Sequence, residues 1–418
     1  MIDADKLLKE LDFERLAGTA GEERARSVLT GHLDAIGLPY VVEQFEIYGF
    51  ETGKATIEVE GQALQAHPFG LESSQILEGP LAFLENADVL AYNSGAFRDK
   101  VVLSCTYSRR TIELLGEQRA RAFILICGAH RGATSLSHRQ KQYEDGQLMP
   151  SVTMSYEDAQ RLIAHDGKWA RITIEQTAGR MTAHNIVVTA GSPDRDNTLT
   201  YLVGHYDTVS RSHGGVDNAA GTVCLVKAAE YFAQNCPERE LKIIFFSGEE
   251  LGLRGSFSYV ETHAEEVKDR ARLVVNVDLS GEIIGRDSLA VLGTKQLMGY
   301  AGGLAREAGL MFSERLDIFS SDCMPFCAHE VPSVNISRGD GQGIFFTHTA
   351  DDRAENISGK GLENSYTAAR FLLERILQAG IYPIKKEIDE SLREKIEKYL
   401  YNALLVKPEL KWRKKYQT

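Results

Sequence analysis

Paired cysteines, long apolar runs and an excess of positive charge are all missing from this chain of 418 residues. Its six cysteines, Cys105, Cys127, Cys224, Cys236, Cys323 and Cys327, are too sparse for a disulfide framework and lack the paired spacing of a zinc knuckle. Cys105 and Cys127 close the apolar runs VVLSC and FILIC and read as small buried thiols. Cys323 and Cys327 stand at i, i+4 and would pair only in an oxidising compartment, so free thiols are the expectation. No apolar run reaches the roughly 18 residues that a membrane span needs. The start, MIDADKLLKELDF, puts acids where a secretory leader needs an apolar stretch, so a cytoplasmic protein is expected. The formal net charge of -12 works against nucleic acid and against anionic membrane as partners, since both would repel the bulk of the chain. Small or peptidic partners fit better, and oligomeric state is open.

What is present is an ordinary globular composition, 43% hydrophobic and 25% charged, which predicts a folded chain. A single core stops growing near about 250 to 300 residues, so two domains are expected. Residues 21–36 place Ala25, Val28, Leu29, His32, Leu33 and Ile36 at helical spacing, ended by Gly37 and Pro39. VVEQFEIYGF alternates like a strand. From residue 52 to 177 the texture is short strands and frequent turns, among them ATIEVEG, DKVVLSC, RAFILIC and PSVTMS, which reads as an inserted β-rich domain. After Arg180 near-continuous apolar strands (TLTYLVG, LKIIFFS, RLVVNVD, VPSVNIS) alternate with helical segments. That pattern predicts an α/β fold whose mostly parallel sheet is covered on both faces. Residues 1–51 and 178–384 then form one domain and 52–177 the insertion. Residues 385–418 form a charged helix and a basic tail, read as a solvated or self-associating arm.

Four of these strands run into metal-binding groups, and in open α/β sheets ligands gather beyond the carboxyl ends of strands. TLTYLVG leads to His205 and Asp207, LKIIFFSG to Glu249 and Glu250, RLVVNV to Asp278, and the loop after VPSVNIS to His348. Asp217 lies between the first two, flanked by glycine at the start of a helix. His32 with Asp34, and Glu265 with Glu266, mimic two of these motifs but sit in helical segments, away from buried strand ends. A dinuclear centre needs about five protein ligands, one of them a bridging carboxylate, and room for a bridging water. His205 and His348 would each cap one divalent ion, Asp217 would bridge, and Asp278 and Glu250 would complete the pair. Three carboxylates and one hydroxide roughly cancel two divalent cations, which avoids burying net charge. Asp207 would orient the His205 imidazole. Glu249, left without a metal, becomes the general base by elimination. Mixed imidazole and carboxylate ligands favour two zinc ions, with manganese or cobalt also suited.

The segments YLVGHYDTVSRSHGGVDNAAGTVCLVKAAEYF, IIFFSGEELGLRGSFSYV, VVNVDLSGE and FFTHTADD resemble the dinuclear zinc aminopeptidases, relatives of bacterial leucyl aminopeptidase and glutamate carboxypeptidase II. The likeness runs over roughly residues 183–377, plus the helix at 21–36. It implies a three-layer α/β/α, phosphorylase/hydrolase-like core that releases amino-terminal residues from peptides through a metal-bridged hydroxide. RDKVVLSC, RAFILICGAH and MPSVTMSYEDAQRLI resemble the protease-associated domain that such enzymes carry, which implies a part in shaping substrate access. Thr347 stands where the family often has tyrosine, Thr349-Ala350 where it has Thr-Pro, and Ser321-Asp322-Cys323 where it has Ser-Asp-His. These departures remove no ligand but leave the oxyanion-stabilising side chain unassigned. Side-chain preference is expected to reside between Leu316 and Phe346.

The nearest rival is the related group of zinc carboxypeptidases and N-acyl-amino-acid deacylases. In that group the bridging Asp follows the first His after a longer segment, and the insertion comes after the paired glutamates. A catalytically inactive binding homologue would have lost ligands, whereas all five stand here.

Overall fold

A computed structural model describes residues 2–92, 95–128, 132–146, 148–193, 195–339 and 346–400. The first strand, β1 (Tyr40–Phe50), is followed by seven between residues 54 and 175: β2 (Lys54–Val59), β3 (Gln62–Pro68), β4 (Gln75–Phe83), β5 (Val101–Ser104), β6 (Ala122–Ile126), β7 (Ser151–Met154) and β8 (Trp169–Glu175). Then come β9 (Ala178–Ala190), β10 (Leu199–His205), β11 (Glu240–Phe246), β12 (Ala271–Val277), β13 (Arg286–Leu292), β14 (Ser313–Leu316) and β15 (Ser333–Gly339).

These strands make two structures. A mixed eight-stranded sheet has the order β1-β9-β11-β10-β12-β15-β13-β14. Its central strands β11, β10, β12 and β15 are parallel, while β1 on β9, β9 on β11 and β13 on β15 are antiparallel. Parallel direction in the centre matters most, because it brings the carboxyl ends of β10, β11 and β12 to one edge.

β10 is buried along its whole length. Successive side chains in a strand point to opposite faces. Leu202 therefore packs with Ile243, Phe245 and Val275 under the helices Ala20–Ile36, Ala220–Gln234, Lys295–Glu307 and Gly359–Leu377. Tyr201 and Val203 pack with Ile244 and Phe246 against Phe257, Met324, Phe326, Leu392 and Ile396 on the helices Arg254–Thr262, Cys323–Cys327 and Glu390–Lys398. Helix Ala20–Ile36 starts because Thr19 accepts the Gly21 amide and stops where Gly37 turns left-handed. It turns Ala25, Leu29 and Leu33 into the first cluster, and each fully buried leucine is worth about 1.5–3 kcal/mol.

The second structure is a closed barrel, β2-β3-β7-β6-β5-β4-β8, sealed by antiparallel pairing of β2 with β8. Alternate residues fill it: Ala55, Ile57 and Val59 from β2 meet Ala170, Ile172 and Ile174 from β8. β1 and β9 pair from Tyr40 with Val188 to Phe50 with Ala178, and this ladder carries the chain into the barrel and back.

Two thiol expectations part company here. Cys127 is buried, but Cys105 is exposed, because it lies one residue past the end of β5 and outside the barrel wall. Cys323 and Cys327 are free and buried on a short helix. The C-terminal helix runs over Glu390–Lys398, and residues 401–418 of the basic tail lie outside the described residues. Among the described residues no helix is long and apolar enough to cross a membrane.

Candidate metal centre

The carboxyl edge of the sheet assembles its polar groups from separate strand ends. β10 terminates on His205, β11 passes through Gly248, in a left-handed turn, to Glu249 and Glu250, and β12 delivers Asp278. Asp217 comes from the turn Gly215–Ala219 ahead of helix Ala220–Gln234, and the Asp217–Asn218 peptide is cis. This turn is tied from both sides. The Asp352 carboxylate accepts the amides of Val216 at 2.7 Å and Asp217 at 3.1 Å, and Asn218 donates to the Val277 carbonyl at 2.9 Å. A Cβ on Gly221 would collide with Asn218 Oδ1 and the Val277 carbonyl, so only glycine fits where the helix crosses the strand. The buried Arg15 guanidinium braces the preceding loop, donating to the carbonyls of Tyr206 at 2.7 Å and Gly214 at 3.0 Å.

The five expected ligands converge. His205 Nε2 lies 3.1 Å from Asp217 Oδ1 and 3.3 Å from Asp278 Oδ1. His348 Nε2 lies 3.2 Å from Asp217 Oδ2 and 3.1 Å from Glu250 Oε2. Each oxygen of Asp217 thus faces a different imidazole, and two clusters of potential ligand atoms share this one residue: His205, Asp217 and Asp278, and Asp217, Glu250 and His348. Glu250 Oε1 is buried with no hydrogen-bond partner. An acid-rich buried set with an orphaned carboxylate oxygen is the donor chemistry that divalent cations satisfy.

Asp207 does something other than expected. His205 Nδ1 is 3.2 Å from the Asp207 main-chain oxygen but 3.6 Å from its carboxylate, so the nearer acceptor for the imidazole is the backbone. The Asp207 carboxylate instead accepts the amides of Glu249 at 3.2 Å and Glu250 at 3.3 Å, fixing the turn that aims both glutamates.

The electrostatics follow from crowding. Burial opposes charge on His205 and His348, but the carboxylates around them outweigh it and hold both imidazoles well above their ordinary pKa. Burial pushes Glu250 up to about 7 with help from Asp217, and pushes Glu249 well above the carboxylate range with help from Glu250, Asp322 and Asp278. Asp217 goes the other way: burial disfavours its charge, yet the two imidazoles carry it below the usual range. An imidazole between carboxylates holds a proton where a metal ion would otherwise supply the positive charge.

Several residues at this edge escape sequence reasoning. Asp352 sits within the quoted FFTHTADD, but nothing in the string says that it holds a turn 135 residues away. Asp322 is fully buried with neither carboxylate oxygen in a well-formed hydrogen bond, and burial, opposed by His205, lifts it to about 7. His32 pairs with Glu10 at 2.8 Å and Glu266 joins Lys242 and Arg270, so these look-alike groups are engaged in ion pairs outside the ligand clusters.

A pocket of about 380 Å³ opens over the cluster, with Asp217, Glu249, Glu250, Asp278 and His348 in its wall. Between Leu316 and Phe346, Ser320 lines it, and residues 340–345 lie outside the described residues. Much of the remaining wall comes from elsewhere: Tyr107 and residues 135–137 and 139 from barrel loops, and Tyr399 from the end of the C-terminal helix. One loop also grips the centre, since the Ser135 amide donates to the His348 carbonyl at 2.8 Å while His348 holds a left-handed backbone.

The chain is similar in sequence and fold to known proteins. The chain is 24% identical over 373 residues to aminopeptidase YwaD of Bacillus subtilis, covering 86% of this chain and 80% of that one. It is 24% identical over 340 residues to probable leucine aminopeptidase 2 of Aspergillus fumigatus, covering 79% and 66%. Among solved structures, the B. subtilis zinc aminopeptidase BSAP superposes with a TM-score of 0.76 at 22% identity over 93% of this chain and 98% of that one. A peptidase M28 precursor from Shewanella amazonensis also gives 0.76, at 18% identity over 92% and 94%. Residues 185–372 match peptidase family M28, and they contain every ligand and acid described above.

Proposed function

We propose that this protein is a metal-dependent aminopeptidase that removes amino-terminal residues from peptides. The observation that carries the reading is Asp217, whose two carboxylate oxygens each face a separate imidazole at 3.1 and 3.2 Å. His205 and Asp278 would hold one divalent ion, Glu250 and His348 the other, and Asp217 both. Zinc is the first choice for this set, with manganese or cobalt also suited. Bound there, such ions polarise a carbonyl and lower the pKa of water.

The remaining work belongs to the chain's own groups. Glu249 lines the pocket beside Glu250 and takes the proton from the attacking water, then returns it to the leaving amine. Asp207 keeps Glu249 and Glu250 aimed by holding both of their amides. Glu249, the pocket carboxylate that no metal neutralises, also suits the ammonium of a free amino terminus, which supports cleavage at that end of a peptide.

On this reading residues 1–51 and 178–384 form a three-layer α/β/α catalytic domain. Residues 52–177 form an inserted domain of protease-associated type, and 385–418 a C-terminal helix and tail. The helices packed on both faces of the sheet and the closed barrel support that division. Peptides are the partners, and a net charge of -12 argues against nucleic acid and anionic membrane.

The test strips the protein with a chelator, reloads it with zinc, manganese or cobalt, and assays aminoacyl p-nitroanilides alongside their N-acetylated counterparts. Two equivalents of metal per chain and cleavage of the free-amine substrates alone are expected. Equal cleavage of N-acetylated substrates would overturn the reading in favour of a deacylase.

A further inference from the structure

Arg139 is a cation in a wall built of acids. It lines the pocket together with Asp217, Glu249 and Glu250, yet among the described residues no carboxylate stands within ion-pair distance of it. Its charge reaches across the cleft: burial raises the phenols of Tyr107 and Tyr399, both pocket-lining, and Arg139 opposes the rise in each.

The loop that bears it is fixed in place. His138, next along, is buried against the Glu72 carboxylate at 2.6 Å, and Glu72 also accepts the Ser151 amide at 2.8 Å. The Gly70 amide donates to the Leu136 carbonyl at 2.7 Å, and the His138 amide to the Gly70 carbonyl at 3.1 Å. Beyond Arg139, the Gln140 side chain is bonded both ways to the Tyr48 backbone, at 2.7 and 2.6 Å. The backbone that carries the guanidinium is thus fixed on both sides of Arg139, and the planar fork of the side chain matches a carboxylate.

We propose that Arg139 is a specificity-determining residue that binds a carboxylate of the substrate. The preferred substrates are short peptides that carry this carboxylate away from their amino terminus. The inference rests on the aminopeptidase reading for the direction of the peptide. An ammonium is repelled by Arg139 and finds its carboxylate partner in Glu249, which no metal neutralises, so the acidic end of the peptide faces the guanidinium. The small volume agrees, since about 380 Å³ encloses only a few residues. The carboxylate can be a C-terminal one or an Asp or Glu side chain, and both offer the same acceptor geometry.

Two substrate pairs separate these sources: Leu-Gly against Leu-glycinamide, and Leu-Asp-amide against Leu-Asn-amide. In the metal-loaded enzyme the acidic member of at least one pair is expected to show a kcat/KM about 10- to 100-fold higher, the range of a charge-assisted bond. In Arg139→Gln that ratio falls at least tenfold, with the loss in KM, and Arg139→Lys restores part of it. Binding supplies a readout that needs no turnover: a dipeptide with a reduced peptide bond and its carboxamide, titrated calorimetrically into wild type and Arg139→Gln. If wild type cleaves nothing but still binds the carboxylate form more tightly through Arg139, the activity reading fails and this assignment stands. Equal kcat/KM within both pairs in an active enzyme, or an equal loss on both members in Arg139→Gln, overturns the assignment.

Discussion

The barrel and the carboxyl edge of the sheet treat buried polarity in opposite ways. None of the buried residues on the barrel strands is ionisable, and the interior is packed by aliphatic side chains such as Ile57, Leu103, Ile124 and Ile172. The sheet edge buries His205, Asp207 and Asp278 at strand ends and Asp217, Asp322 and Asp352 on the segments that close over them. A closed barrel pairs every strand and fills its own middle, so it has only loops to offer. An open parallel sheet leaves its strand ends free, and there charged groups from distant parts of the chain can share one cation-requiring cavity. The barrel core is apolar, the sheet edge holds the chemistry, and loops from the barrel meet it.

Ordered from the largest expected effect on turnover to the smallest, four substitutions test that contrast. Asp217→Asn alters the one carboxylate shared by both clusters, so turnover should fall to background and metal content, read by elemental analysis, should drop at both positions. Glu249→Gln should lower kcat by about 10²- to 10⁴-fold while leaving metal content intact, which separates proton transfer from metal binding. Asp352→Asn weakens the clamp on the Asp217 turn and should cost about 10- to 100-fold in metal affinity, measured by competition with a chelator. Ile172→Ala opens a cavity in the barrel and should cost about 2–5 kcal/mol in denaturant unfolding, while folded enzyme keeps its kcat/KM within about threefold. If Ile172→Ala lowers turnover of the folded protein as far as Asp352→Asn does, the division between scaffold and chemistry collapses.

How far the sequence foretold these features depended on whether the signal was local. His205, Glu249, Glu250 and Asp278 follow uninterrupted apolar strands, so a reader of the string meets polarity where a buried strand must end. Asp217 carries its own marker in flanking glycines. The sheet was legible in outline, although β9 and β13, which run against the central strands, show that apolar runs alone do not fix strand direction. Asp352 and Asp322 sit in polar stretches that look like solvated loops, and their burial arises only when remote segments close over them. Asp207 was visible, but which of its oxygens serves the imidazole depends on a backbone turn that residue spacing does not encode. β3, QALQAHP, alternates too weakly to stand out, and it becomes a strand because its neighbours β2 and β7 offer it hydrogen bonds. The pocket wall was least legible of all, since Tyr107, Arg139 and Tyr399 come from three places in the sequence that meet only in the fold.

The hydrogen bond from the Ser135 amide to the His348 carbonyl carries a consequence of thermodynamic reciprocity. Ser135 and Arg139 share one loop, fastened to the barrel by Glu72 and His138 and to the sheet edge by His348 and the Ser210 carbonyl. Whatever steadies His348 also steadies that loop, and linkage requires the converse in equal measure. Loading the centre should slow amide exchange at residues 135–139, and the factor by which metal tightens binding of a ligand carboxylate at Arg139 should equal the factor by which that ligand tightens metal binding. On the proposed reading, the barrel loop would make substrate and metal heterotropic partners.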